Sequence, residues 1–64
     1  MSWLVRRWRA HQRAIDLRIL WPACRDLGPD LDSARATFAV HAFHDPAWLS
    51  LGDDEIIRII DGLS

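Results

Sequence analysis

The amino-acid sequence predicts an all-α fold, a compact domain of three to four helices spanning residues 1–64. Three observations carry that prediction. Apolar residues recur at intervals of three and four along most of the chain, the spacing of helix faces. No stretch alternates apolar with polar residues, no hairpin dipeptide joins two apolar runs, and Tyr is absent. Capping residues and helix breakers stand where those periodic segments begin and end.

In the first segment Leu4, Trp8, His11, Ile15 and Ile19 recur at intervals of four, three, four and four, one stripe of a helix expected to pack inward. Arg6, Arg9 and Arg13 fall on the opposite side, and Leu17, Leu20 and Trp21 widen the apolar surface further along. Pro22 lacks an amide hydrogen and crowds the carbonyl four residues back, so a kink or a fresh helical turn is expected there. Gly28-Pro29 reads as the stop, with the helix ending near Asp26 to Gly28.

Asp30 or Asp32 can cap a second helix running to about Phe43. Leu31, Ala34, Phe38, His41 and Ala42 share one side of it, and its alanines permit close approach by neighbours. Asp45 followed by Pro46 is an N-cap with proline at the first helical position, which predicts a short helical turn through Trp48. A last helix is expected to open at Gly52. Glu55 would be the reciprocal half of a capping box there, and Leu51 would staple onto Ile56. Ile56, Ile60 and Leu63, flanked by Ile57 and Ile59, form its apolar face. Asp53, Asp54 and Glu55 suit the positive end of the helix dipole.

At 64 residues and 7.4 kDa a single small domain is expected. A chain of about 60 residues hides only about 60% of its unfolded surface, so it gains from a staple or a partner. Cys24 is the only cysteine, which leaves a metal or a partner chain, the latter including a possible homodimer. A deep catalytic pocket needs more wall than this chain supplies, and no enzyme activity is expected.

The formal net charge of −1 hides segregation. Residues 1–25 hold six arginines against Asp16 alone, and residues 26–64 hold two arginines against eight acids, +5 and −6. That asymmetry suggests a basic face for an acidic partner, or halves that attract each other. Every cation is Arg, as the codon usage of a GC-rich genome would also produce. The longest apolar run, residues 19–24, is far short of a membrane span, and arginines occupy the place of a signal-peptide core. A cytoplasmic protein is the expectation.

Trp3, Arg6, Arg7, Arg9 and Arg13 are the candidate contact surface, since Arg and Trp are over-represented at interfaces. Trp8 and Trp21 are expected in the core, and Trp48 at the junction of the second and third helices. Asp53, Asp54 and Glu55 form a second candidate patch. The Arg/Trp helix could also stack bases and neutralise phosphates, but domain-level basicity is missing. Helix-turn-helix docking is excluded, because three acids would head the recognition helix. His11, Cys24, His41 and His44 match no structural-zinc spacing. A Cys24-His nucleophilic pair is disfavoured by the apolar run around the thiol. No cofactor, metal or catalytic residue is therefore assigned.

The run Asp16-Leu17-Arg18-Ile19-Leu20-Trp21-Pro22-Ala23-Cys24, then residues 30–36 (DLDSARA) and Asp45-Pro46-Ala47-Trp48, resembles short proteins of phages and prophages from GC-rich bacteria. The similarity runs from about Asp16 onward and includes no catalytic motif. It implies a context and no activity. Small phage accessory proteins commonly bind and modulate a host protein, including defence complexes such as CRISPR effectors. The resulting expectation is a modulator or inhibitor of a host complex acting by protein–protein contact. The alternatives are a nucleic-acid-binding accessory protein and a virion assembly component.

Overall fold

The computed structural model describes residues 2–64, and among these there is helix and no strand. The expected all-α domain is found as four helical segments. The first is a continuous rod made of α1 (Ser2–Ile15), a π-helical turn (Asp16–Leu20) and α2 (Trp21–Leu27). It is followed by α3 (Leu31–Ala42), a short α4 (Pro46–Leu49) and α5 (Asp53–Asp61). The longest dimension is 41 Å against 22 and 17 Å, and at about 1.5 Å per residue the rod accounts for that length.

Pro22 explains the π turn. In a regular α-helix its ring would press on the Arg18 carbonyl, which would also lose its donor. The chain instead widens by one residue, and the Trp21 N–H bonds the Asp16 carbonyl five residues back. Neither a sharp kink nor a break is needed, and the rod continues.

The rod stops where expected, at Leu27, but by a different device from a left-handed glycine. Gly28 is extended, with φ −82° and ψ 142°. A Cβ there would lie 3.1 Å from both the Ala34 amide nitrogen and the Cys24 carbonyl oxygen. Glycine therefore allows the end of α2 to meet the start of α3. Asp30 caps α3, its carboxylate accepting from the Ser33 amide at 2.7 Å. These bonds favour the charged form and hold the Asp30 carboxyl below its ordinary range. Asp45 caps α4 in the same manner through the Ala47 amide at 2.8 Å. Gly52 begins α5, but the capping box is absent. The Glu55 side chain turns along the helix to accept from Arg58 at 2.6 Å.

The core is small and aromatic. Phe38 stands at its centre, with Trp21 edge-on at 5.8 Å and Trp48 edge-on at 5.5 Å between ring centroids. Cys24, Ala34, Ala42, Ala47, Ile56 and Ile60 complete the buried cluster. Burial pushes the Cys24 thiol up from its ordinary pKa. Thus α3 is the central element, packed against both α2 and α5, while α1 packs on α4. Arg35 fastens the end of α5 to α3 by donating to the Leu63 and Asp61 carbonyls.

One expectation is reversed. The stripe Leu4, Trp8, His11, Ile15 and Ile19 does not pack inward. Leu4 is 61% exposed, Trp8 53% and Ile19 62%; His11 is exposed and Ile15 only half-buried. Five other rod residues line the side that meets the domain. Arg9, Arg13, Asp16, Leu20 and Cys24 have the same four, three, four, four spacing and are half-buried or buried.

Candidate functional site

The first two turns of α1 stand clear of the domain, and every side chain from Trp3 to Trp8 is exposed. Trp3, 60% exposed, carries the Arg7 guanidinium 5.5 Å from its ring centroid. Such a contact holds both side chains on the helix surface. Trp3, Arg6 and Arg7 lie on the surface as expected, and Leu4 and Trp8 join them there.

Arg9 and Arg13 depart from the expected exposed arginine face. Both are half-buried, and the Arg9 Nε is enclosed without a hydrogen-bond partner. Arg13 reaches α4, donating from Nη1 to the Ala47 carbonyl at 2.6 Å and to Ser50 Oγ at 2.9 Å. It is a brace between α1 and α4. Arg13→Ala is accordingly expected to lower folding stability by about 1.5–3 kcal/mol, the range for hydrogen bonds to a charged group. Arg6→Ala should stay within about 0.5 kcal/mol, as is usual for exposed positions. Urea midpoints of the two variants check this, and equal midpoints would remove the brace.

The acidic patch lies on a different element. Asp53 and Asp54 are exposed at the start of α5, and Glu55 is half-buried and tied to Arg58. Among the described residues, none of the arginines in 1–25 forms an ion pair with an acid. The segregated charges therefore do not clasp one another.

Sequence inspection missed a second constellation. Asp16, on the π turn, is a carboxylate only 5% exposed. Its Oδ2 accepts from Trp48 Nε1 at 2.8 Å and lies 2.9 Å from His41 Nε2, while Gln12 Nε2 approaches Oδ1 at 3.4 Å. His41 Nε2 is also 3.4 Å from Asp45 Oδ2. Two carboxylates thus converge on one imidazole at the junction of the rod, α3 and α4. An open depression of about 410 Å³ adjoins it, lined by Val40, His41, His44, Asp45 and Pro46. The His41–Asp45 half was visible as an i, i+4 pair across the end of α3. Nothing local marked Asp16, which is 25 residues upstream. His11 is exposed on α1, and Cys24 is buried in the core. The two histidines at the depression are therefore separated from the other residues considered for zinc.

Among the described residues no helix is long and apolar enough to cross a membrane. No family model, no curated protein and no solved structure matches the chain.

Proposed function

We propose that this protein works in the cytoplasm by protein–protein contact and without chemistry of its own. Its outward α1 stripe would dock into an apolar groove rimmed by carboxylates on a larger host assembly, whose action it modulates or inhibits. The observation that supports this is the exposure of Leu4, Trp8 and Ile19 in one helical row, with Trp3 beside it. Single exposed apolar residues are ordinary, but a row at helical spacing is an unpartnered amphipathic face. Burying each such side chain is worth about 1.5–3 kcal/mol, a gain the isolated domain forgoes. Arg7 and Arg18 lie three residues from Leu4 and Ile15 and flank the row with positive charge, which favours an acidic rim. The phage resemblance supplies the host context.

The nucleic-acid reading loses support from the same geometry. Arg9 and Arg13 turn toward the domain and are half-buried, which leaves Arg6 and Arg7 as the exposed arginines of α1. Capture from host lysate, with and without nuclease treatment, tests the proposal, using the wild type and the double variant Leu4→Asp, Trp8→Asp. Both positions are exposed, so the variant should retain its helical circular dichroism. The wild type is expected to hold one protein or complex in stoichiometric amount. The variant should lose it at least 30-fold, the effect of a contact of about 2 kcal/mol at an interface centre. Equal retention by both overturns the stripe as the contact. Loss of all retention on nuclease treatment favours the nucleic-acid alternative, and concentration-dependent sedimentation of the pure chain favours a homodimer.

A further inference from the structure

We propose that Asp16, His41 and Asp45 form a site for one divalent transition-metal ion of the zinc class, which staples the rod to the α3–α4 junction. This does not rest on the α1 docking surface. One donor atom from each residue lies within 4.8 Å of the others, and the two distances from His41 Nε2 are 2.9 and 3.4 Å. Ligands about 2.0–2.1 Å from a tetrahedral ion are themselves about 3.3 Å apart, so small adjustments admit the ion.

The ligands are also held from behind. Asp45 commits Oδ1 to the Ala47 amide as the α4 cap, which leaves Oδ2 directed at His41. Asp16 is oriented by Trp48 Nε1 and by Gln12, the outer-shell support that ligating carboxylates ordinarily have. The charges call for a cation. Two carboxylates face one imidazole, one of them buried, and no arginine joins the cluster among the described ion pairs. Burying such a carboxylate is costly unless positive charge compensates it.

The open side meets the depression, where His44 stands on the rim. Its Nδ1 is 2.7 Å from the Val40 carbonyl; as donor it leaves Nε2 free. A water can complete the coordination. The metal would take the Nε2 lone pair of the neutral His41 ring, with the ring proton on Nδ1. One imidazole with two carboxylates suits zinc, cobalt or manganese and disfavours soft Cu(I). The physical benefit is closure of the chain between residues 16 and 45 without a disulfide, in a domain with a small core.

Calorimetric titration of the metal-free full chain with zinc tests the site, together with thermal unfolding followed by circular dichroism. The expected result is one ion per chain, a higher Tm with zinc, and reversal by a chelator. Asp45→Asn keeps the cap acceptor and removes the ligand charge, and should weaken binding at least 10-fold. His11→Gln should bind as the wild type does. If Asp45→Asn fails to fold, the ring nitrogen resonances of the wild type decide, because zinc should move those of His41. Absence of saturable binding below about 0.1 mM, undiminished binding in folded Asp45→Asn, or unmoved His41 resonances overturns the proposal.

Discussion

Phe38→Ala is expected to remove about 3–5 kcal/mol of folding stability, the range for deleting a buried phenylalanine. The ring is fully buried and stands between Trp21 and Trp48, both edge-on. Its loss forfeits two aromatic contacts and opens a cavity. The walls are side chains on α2, α3 and α4, so collapse around the hole would have to move three elements together. Domains hold about 0.05–0.15 kcal/mol per residue, which for this chain is about 3–10 kcal/mol in all. The variant should therefore be largely unfolded at 25 °C, or melt far below the wild type. Urea unfolding monitored by tryptophan fluorescence measures it, and a loss under 1 kcal/mol would show that Phe38 is not the keystone of the core.

Asp16→Ala is expected to cost about 2–4 kcal/mol, because it removes the acceptor that Trp48 and His41 share. The substitution strands the buried Trp48 Nε1–H and leaves His41 facing Asp45 alone. An unsatisfied buried donor costs about 1–3 kcal/mol, and the lost contact with His41 about another 0.5–1.5. Trp48→Phe removes the donor while keeping much of the ring, so it separates the two contributions. In the double variant Asp16→Ala, Trp48→Phe the losses should be less than additive, because part of the first cost is the stranded N–H. Strict additivity would mean that the hydrogen bond contributes nothing and that Asp16 acts through His41 only. These measurements belong in chelator, which keeps any bound metal out of the comparison.

The boundaries of the helices were legible because capping is local. Asp30, Asp45-Pro46 and Gly52 each stand within three residues of the amides that they prepare or bond, and the structure begins α3, α4 and α5 beside them. Glu55 is the exception. Its preference for Arg58 over the Gly52 amide was a competition between two local partners, and Arg58 offers a charge. The core was partly legible. Ala34, Phe38, Ala42, Ile56 and Ile60 are buried on the faces their spacing indicated, whereas Trp8, expected beside them, is half open to solvent.

The interface candidates divide along the same line. Trp3, Arg6 and Arg7 lie in the first two turns of α1, where every described side chain is exposed. Arg13 lies opposite α4, and its use as a brace depends on carbonyl and hydroxyl groups at Ala47 and Ser50. No property of the first helix announces those partners.

By itself, then, the sequence determined that this chain is helical, where each helix starts, and that Pro22 must disturb the first of them. Only the tertiary structure decided which side of that helix faces the domain. The rod carries two stripes of identical spacing, Leu4-Trp8-His11-Ile15-Ile19 and Arg9-Arg13-Asp16-Leu20-Cys24, and periodicity sets a spacing without setting a phase. The second stripe turns inward because Arg13 and Asp16 find hydrogen-bond partners at Ala47, Ser50, His41 and Trp48, at least 25 residues away along the chain. With those bonds made, a partly polar face can be buried and the apolar face is left outside.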